Sequence, residues 1–373
     1  MASVTHTLRD VVWERRGLRG WAGWLALQPA SGLFATGVAL KNLGYRIGIL
    51  RAHRAKVPVI SVGNLSVGGT GKTPMTLWLA RGLAAGGLKV AILLRGYTGR
   101  ATGVTVVSTG AGPEVDVETA GDEAVMLAKC FDGVVLTARR RVDGVAVAEQ
   151  LGCHVVVLDD GFQHRALARD FDLVLTNGRA GALLPAGPMR ERRAALKRAD
   201  AIALVLKADE DDGYAPATVR MPRVSGSKPL FVVRFVATAL VESDSGRWRE
   251  RPMELLSGRH VAIVAGIGNP ASFYAMVRQW EAQIDEIFEY PDHYRYAQAD
   301  WQSLSRDTRG VELIVTTEKD LVKLESFPFA KGKLVALRIE PQVDGGDALV
   351  RMVMTRAGLV PVRRPEEEIH ADQ

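Results

Sequence analysis

Residues 66–73 combine three glycines, a lysine and a hydroxyl at the spacing of a phosphate-binding loop: Ser66, Val67, Gly68, Gly69, Thr70, Gly71, Lys72, Thr73. Gly68, Gly69 and Gly71 let successive backbone N–H groups point into one concavity, and a helix starting behind them adds positive potential. Lys72 can then reach the β- and γ-phosphates of a nucleotide, and the Thr73 hydroxyl can bind Mg²⁺. The setting agrees: residues 57–62 are apolar and β-branched, as a buried strand requires, and a helical pattern opens at Pro74. The general pattern G-x-x-x-x-G-K-[ST] has glycine where this chain has Ser66. The alternative, an ordinary glycine loop before a helix, is weighed against Gly-Lys-Thr in a strand-to-helix context.

Acids stand where such a site needs them. Residues 154–158 form an apolar strand that delivers Asp159 and Asp160 at its carboxyl end, the edge at which ligands bind in open α/β sheets. Two adjacent aspartates can hold Mg²⁺ opposite Thr73; alternatively Asp160-Gly161 only makes a turn. Gln163, His164 and Arg165 follow on the same loop and either face a substrate or cap the next helix. Asp122 and Glu123 occupy the first turn of a helical pattern. There they serve either the helix dipole or chemistry, one carboxylate taking a proton from a hydroxyl and the other helping to bind metal. Arg139-Arg140-Arg141 is a solvated face or an anion-binding cluster. The loop Tyr290-Pro-Asp-His293-Tyr-Arg-Tyr296 is rich in functional side chains, and a lone histidine such as His293 is more often structural than catalytic. Thr317-Glu-Lys-Asp320 ends another apolar strand and does not spell the guanine-reading Asn-Lys-x-Asp.

These groups need an α/β scaffold, and the pattern supplies one. Short apolar runs at 89–94, 104–107, 134–136, 154–158, 173–175 and 201–206 alternate with helical segments. That alternation indicates a parallel sheet covered on both faces, a P-loop NTPase-like domain over 57–228. Runs at 231–241 and 247–255, joined by Ser243-Asp-Ser-Gly246, read as a hairpin linker over 229–256. A smaller α/β domain over 257–345 has strands at 261–265, 284–288, 313–316 and 334–338, with a C-terminal helix and tail over 346–373. The polar stretch 208–227 reads as a loop, and its run Asp209-Glu-Asp-Asp212 as a solvated surface.

The first 56 residues differ. Arg15, Arg16 and Arg19 precede an uncharged run over 20–40 that carries Trp21, Trp24 and Phe34, and Lys41, Arg46, Arg51 and Arg54 follow. Its length permits a membrane span, but Pro29 and four glycines argue against one. Tryptophans beside arginines suit an interfacial membrane-interacting helix; a soluble helical hairpin packed on the domain fits equally.

The whole-chain balance sets bounds. With 373 residues and 47% hydrophobic content, two domains and a sizeable core are expected. A net charge of +6 favours anionic partners such as nucleotides, phospholipid or nucleic acid. Cys130 and Cys153 are the only cysteines, which excludes a disulfide scaffold or a Cys-rich zinc site. No secretory signal is evident, so the bulk of the protein is expected in the cytoplasm. Without an aromatic-interleaved basic module, no nucleic-acid partner is expected.

Taken together, the motifs resemble the tetraacyldisaccharide 4′-kinase family, the lipid A 4′-kinases of Gram-negative bacteria. The resemblance rests on residues 61–74, Gly121-Asp-Glu-Ala124, Leu158-Asp-Asp-Gly-Phe-Gln-His-Arg165, Leu184-Pro-Ala-Gly-Pro-Met-Arg190, Gly266–Pro270 with Phe273, Pro291-Asp-His293 and Thr317-Glu-Lys-Asp320. The family's loop also lacks the first glycine, which accounts for Ser66. Departures are Tyr290, where Phe is commoner, and 208–227, which looks like a local insertion. The resemblance implies transfer of the ATP γ-phosphoryl to the 4′-hydroxyl of an acylated disaccharide 1-phosphate in lipid A biosynthesis. It implies Asp122 as general base paired with His293, Mg²⁺ held by Thr73, Glu123, Asp159 and Asp160, and headgroup contacts from Arg141, Gln163 and His164. The substrate's acyl chains would bring the enzyme to the phospholipid surface, at the cytoplasmic face of the inner membrane, as a peripheral or N-terminally anchored protein. Two rivals are a membrane-associated nucleotide switch, such as a GTPase or metallochaperone, and a soluble small-molecule P-loop kinase.

Overall fold

A computed structural model describes residues 11–179, 181–206, 228–244, 246–268, 270–328 and 332–361. The acidic run 209–212 and the tail beyond 361 lie outside the described residues.

The apolar runs become strands, and those at the centre of the sheet are buried on both faces. In chain order they are β1 (Val59–Asn64), β2 (Val90–Leu94), β3 (Val104–Ser108), β4 (Val134–Ala138), β5 (Val155–Asp159), β6 (Phe171–Thr176) and β7 (Ala201–Leu206). Then follow β8 (Leu230–Asp244), β9 (Arg247–Arg251), β10 (His260–Ala265), β11 (Gln283–Glu289), β12 (Leu313–Thr317) and β13 (Leu334–Val343). Alternate residues of β1, β2 and β5 face opposite ways. Ile60, Val62, Ile92, Leu94, Val155 and Val157 meet Met75, Leu79 and Leu83 of helix α2 (Lys72–Ala85), which follows the N-terminal helix α1 (Gly17–Arg46). On the other side, Val59, Ala91, Leu93, Val156 and Leu158 meet Val145 and Ala148 on helix Arg141–Gln150. Covered on both sides, these strands have no solvent face, hence their near-continuous apolar sequence.

All thirteen strands belong to one sheet, ordered β11-β10-β12-β13-β8-β7-β6-β1-β5-β2-β4-β3, with β9 paired to β8 alone. The two α/β units therefore share a sheet. Strand β8 joins them: residues 230–234 pair in parallel with β7, and most of its length pairs antiparallel with β13. The hairpin expected at 231–255 exists, but its first strand is part of the sheet, and its second ends at Arg251, before a 3₁₀ turn at Met253–Leu256. Strand β13 runs five residues past the expected Arg338, to Val343, because β8 pairs with it that far.

Residues 17–46 form one helix, α1, that runs on through Pro29, and a short helical stretch at 11–13 folds back on its start through a turn at 14–16. The inward side of α1 is tied to the larger α/β unit by Ser31 Oγ donating to the Leu183 carbonyl and by Asn42 Nδ2 donating to Glu191. Its outward side leaves Leu18, Trp21, Leu25, Leu33, Leu40 and Leu43 exposed. No helix among the described residues is long and apolar enough to cross a membrane.

Two glycines are demanded by close approach. Gly71 has φ +75°, and a Cβ there would meet the Phe235 ring of β8 at 2.1 Å. A Cβ on Gly63, at the end of β1, would lie 2.6 Å from Phe162 Cβ and 2.9 Å from its backbone nitrogen. Backbone cannot yield as a side-chain tip can, so Gly63→Ala should cost about 1–3 kcal/mol. A denaturation midpoint equal to that of the native protein would contradict this packing.

Candidate active site

The phosphate loop leaves β1 and enters α2, with Gly71 in the left-handed region as the helix N-cap. Its start is clamped from outside: Val67 N–H donates to the Pro188 carbonyl at 2.7 Å, and Ser66 bridges to Met189. Thr70 Oγ1 accepts from Asn64 Nδ2 at 2.6 Å. The loop forms one wall of a cleft of about 450 Å³, into which Lys72 and Thr73 face. The loops after β2 and β5 add further walls, and the smaller unit closes it with Ile267, His293, Lys319 and Leu337.

Asp159 and Asp160 divide their tasks. Asp159 is the last residue of β5 and is buried; its carboxylate accepts from Thr73 Oγ1 at 2.8 Å and Thr76 Oγ1 at 3.2 Å. Burial, reinforced by Asp160, pushes its carboxyl up despite the opposing Lys72 and Thr73. Asp160 turns the chain with a left-handed φ of +51°, an unfavourable value for a non-glycine residue and of the kind that collects at functional sites. Its carboxylate pairs with Arg190 Nη1 at 2.7 Å and lies 4.0 Å from Lys72 Nζ. Burial raises this carboxyl, but Lys72 and Arg190 outweigh it and hold it below the usual range.

Asp122 opens helix α3 (Asp122–Cys130) and is nearly buried. His293 arrives from the smaller unit with a left-handed φ of +62°, and its Nδ1 lies 3.1 Å from both Asp122 oxygens. The Lys319 ammonium sits 3.2 Å from Nε2 of the same ring. An ammonium can only donate, so Nε2 accepts and Nδ1–H donates to Asp122. Burial alone would raise the Asp122 carboxyl; the His293 bond and the ammonium groups of Lys319 and Lys323 overcome it and hold the carboxyl far below its ordinary value. The Asp122 bond in turn pushes the imidazole up, against burial and Lys319. Glu123 is pushed up by burial, against Lys319 at 3.8 Å, and Asp159 is close enough to add to the rise.

The cleft thus gathers Val67, Gly68, Gly69, Thr70, Lys72, Thr73, Asp122, Glu123, Asp159, Asp160, Arg141 and His293. Arg141 is buried, its guanidinium donating to the carbonyls of Asp159 and Asp160, so it braces the end of β5. Gln163 and His164 do not line the cleft. Gln163 Nε2 donates to the Asn64 carbonyl at 2.7 Å, and its own carbonyl lies 3.4 Å from Lys41 Nζ of α1. His164 is half-buried; burial, with Arg141 and Lys41 nearby, lowers it to about 4. Sequence reasoning gave no role to Arg190 or Lys319, although each lies within a quoted motif, 184–190 and 317–320. For Lys319 the signal available was a lysine between two acids just past a strand end, whereas nothing local marks Arg190, which meets Asp160 only in the fold.

Among the described residues no three His, Cys, Asp or Glu side chains form a ready metal cluster. The donor set is nonetheless all oxygen, with the Thr73 hydroxyl and Asp159 carboxylate in contact and Glu123 nearby. That fits Mg²⁺, which takes one or two carboxylates and completes its shell with phosphate and water.

A glycine loop with Lys72 and Thr73, strand-end acids opposite it and a carboxylate–imidazole pair over the cleft define a P-loop phosphotransferase. Comparison with known proteins narrows the class. Residues 23–357 match the family model for tetraacyldisaccharide-1-P 4′-kinase. The chain is 37% identical over 374 residues to the tetraacyldisaccharide 4′-kinase of Anaeromyxobacter sp. strain K, covering 95% of this chain and 97% of that protein. It is 38% identical over 343 residues to the one from Syntrophus aciditrophicus, covering 85% and 90%. The crystal structure of Aquifex aeolicus LpxK in complex with ATP superimposes with a TM-score of 0.73 at 32% identity, covering 90% of this chain and 99% of that one. The chain belongs to the tetraacyldisaccharide 4′-kinase family and is a kinase of lipid A biosynthesis, a phosphotransferase with an alcohol acceptor.

Two outcomes follow from the geometry. Lys72→Ala removes a charged donor worth roughly 1.5–3 kcal/mol, so ATP should bind about ten- to a hundredfold more weakly in a nucleotide titration. Because Asp122 is held below its unfolded value of 3.8, the stability it contributes is present above that value and is lost as pH falls below it. Asp122→Asn should therefore melt lower than the native protein near neutral pH, and the gap should start to narrow as the pH falls below about 4 and go on narrowing as the pH drops further. A gap that does not change with pH would show the carboxylate uncoupled from its cations.

Proposed function

We propose that the chain transfers the γ-phosphoryl of ATP to the 4′-hydroxyl of a tetraacyldisaccharide 1-phosphate, with Asp122 as general base. The observation that carries this reading is the 3.1 Å contact between Asp122 and His293 in the same cleft as Lys72 and Thr73. Lys72 and the loop amides hold the phosphates, and Arg190 and Lys319 stand as further cations around them. Asp122 accepts the hydroxyl proton, and His293, donating from Nδ1, orients the carboxylate that takes it. Mg²⁺, held by Thr73 and Asp159 with Glu123 beside them and Asp160 adjoining, would supply charge neutralisation at the β- and γ-phosphates. His293 comes from the smaller unit, so the base is complete only when both units meet. Gln163 and His164, beneath α1, belong to the side from which a lipid headgroup would enter.

The acceptor's acyl chains stay in the bilayer, so the enzyme works at the phospholipid surface on the cytoplasmic side. The exposed leucines of α1 suit shallow insertion, with Arg15 stacked at 4.4 Å over Trp24 at one end and Arg46 in the last turn at the other.

Incubation with radiolabelled ATP and the lipid acceptor should place label on the lipid. ATP hydrolysis without labelled lipid would overturn the assignment. Asp122→Asn should lower turnover by roughly 10²–10⁴-fold while ATP binding stays near native. Replacing Leu25, Leu33 and Leu40 together by aspartate should weaken binding to anionic vesicles by at least about a hundredfold. Co-sedimentation equal to that of the native protein would remove α1 as the docking element.

A further inference from the structure

One buried side chain touches Asp122 and the main chain of the residue after His293 without lining the cleft. Lys323 lies on helix Glu318–Leu324, and its side chain is 9% exposed. Its ammonium donates to the Tyr294 carbonyl at 3.1 Å and is ion-paired with Asp320 Oδ1 at 2.7 Å and Asp122 Oδ2 at 3.5 Å. The Tyr294 carbonyl belongs to the residue that follows His293. Since His293 holds a left-handed φ at a cost of about 1 kcal/mol or more, something must fix the turn around it.

Asp320 is the anchor. It is fully buried, and Oδ2 accepts from the Gly266 N–H at 2.8 Å and the Thr317 hydroxyl at 2.8 Å, at the carboxyl ends of β10 and β12. An unbroken line of contacts therefore runs from the smaller unit's sheet through Asp320 and Lys323 to Asp122 and the His293 turn. Lys319, one helical turn earlier, differs: it lines the cleft and contacts Asp292, His293 and Glu123. Lys323 is shut off from the cleft, so its influence must pass through Asp122 and His293.

We propose that Lys323 is a positioning residue of the phosphotransfer reaction, fixing the Asp122 carboxylate and the His293 turn to one buried point so that the base meets the acceptor hydroxyl in a single orientation. The inference rests on the reading of Asp122 as base. A displacement of about 1 Å at a reacting group can cost about a hundredfold in rate, and a rotated carboxylate would be displaced by that order.

The test uses the full chain with Lys323→Met, Lys323→Arg, the double variant Lys323→Met with Asp320→Asn, and Asp122→Asn for reference. The double variant removes the carboxylate that the lysine would otherwise leave unpaired in the interior. Turnover with the lipid acceptor, KM for ATP and thermal melting are measured for each. In Lys323→Met and in the double variant, turnover should fall roughly 10- to 100-fold while KM for ATP stays within about twofold. Lys323→Arg, which keeps the charge and the donors, should recover most of the loss. The proposal is overturned if the double variant folds with native turnover, if KM for ATP worsens as much as turnover, or if arginine gives no recovery over methionine. Failure of both methionine-containing variants to fold assigns the lysine to stability and overturns it too. If Asp122→Asn keeps native turnover, the base assignment falls; if Asp122→Asn is inactive while the lysine variants are native, only the positioning role falls.

Discussion

A carboxylate at position 122 and an imidazole at position 293 meet at 3.1 Å, and much of the molecule exists to hold that distance. The two residues begin separate local structures, a helix start and a strained turn, on units that share a sheet only through β8 and β13. A hydrogen bond in isolation contributes about 1 kcal/mol net, far too little to hold two units in register. The register is set instead by the continuous ladder from residue 230 to 244 and by helix Glu318–Leu324 lying against α3. Side chains then trim the approach: Lys129 of α3 pairs with Glu325 at 2.9 Å, and Cys130 Sγ approaches Glu318, which is bound to Arg338 of β13.

The cleft's charge balance is the second constraint. Asp122, Glu123, Asp159, Asp160 and Asp292 would repel a triphosphate if they were bare. Each has a partner: Lys319 and Lys323 face the first two and Asp292, Arg190 and Lys72 face Asp160, and hydroxyls cover Asp159. Removing water strengthens both attraction and repulsion, which is why the carboxyls part company: Asp122 and Asp160 are held low, while Glu123 and Asp159 are pushed up. The acids pushed up are those with a contact or neighbour at the Thr73 end of the cleft, and a divalent cation would relieve them there.

Where local pattern dictates contact, the sequence was readable. Gly68 to Thr73 and Asp159-Asp160 could be placed because a strand must stop and a helix must start at those residues, and the sheet brings the two strand ends together by direct β1–β5 pairing. The partner of Asp122 could not be read from spacing: the carboxylate looks the same whether it serves a helix dipole or a proton, and the imidazole it meets lies 171 positions away. Arg141 could not be told from Arg139 and Arg140, because nothing local shows that its guanidinium alone reaches two main-chain carbonyls. Pro29 and four glycines argued against a membrane span over 20–40, and α1, which runs straight through them, is not apolar enough to be one. The lost hydrogen bond is local, while the ties of Ser31 and Asn42 to Leu183 and Glu191 are tertiary. Lys323 carried no signal at all, being a lysine on an ordinary short helix.

The segment 183–191 connects the outer helix to the chemistry. On one side it accepts from Trp13, Ser31 and Asn42 through Pro185, Leu183 and Glu191. On the other it grips the phosphate loop: the Pro188 carbonyl takes the Val67 N–H, the Arg190 N–H donates to the Leu65 carbonyl, and the Arg190 guanidinium seizes Asp160. One short stretch of chain therefore sets the height of α1 above the cleft and the position of a cation within it. The exposed leucines of α1 and the carboxylates of the cleft are thus joined through one stretch bonded on both sides, so that a shift of the outer helix is carried to the phosphate loop and to Arg190 through the same few hydrogen bonds.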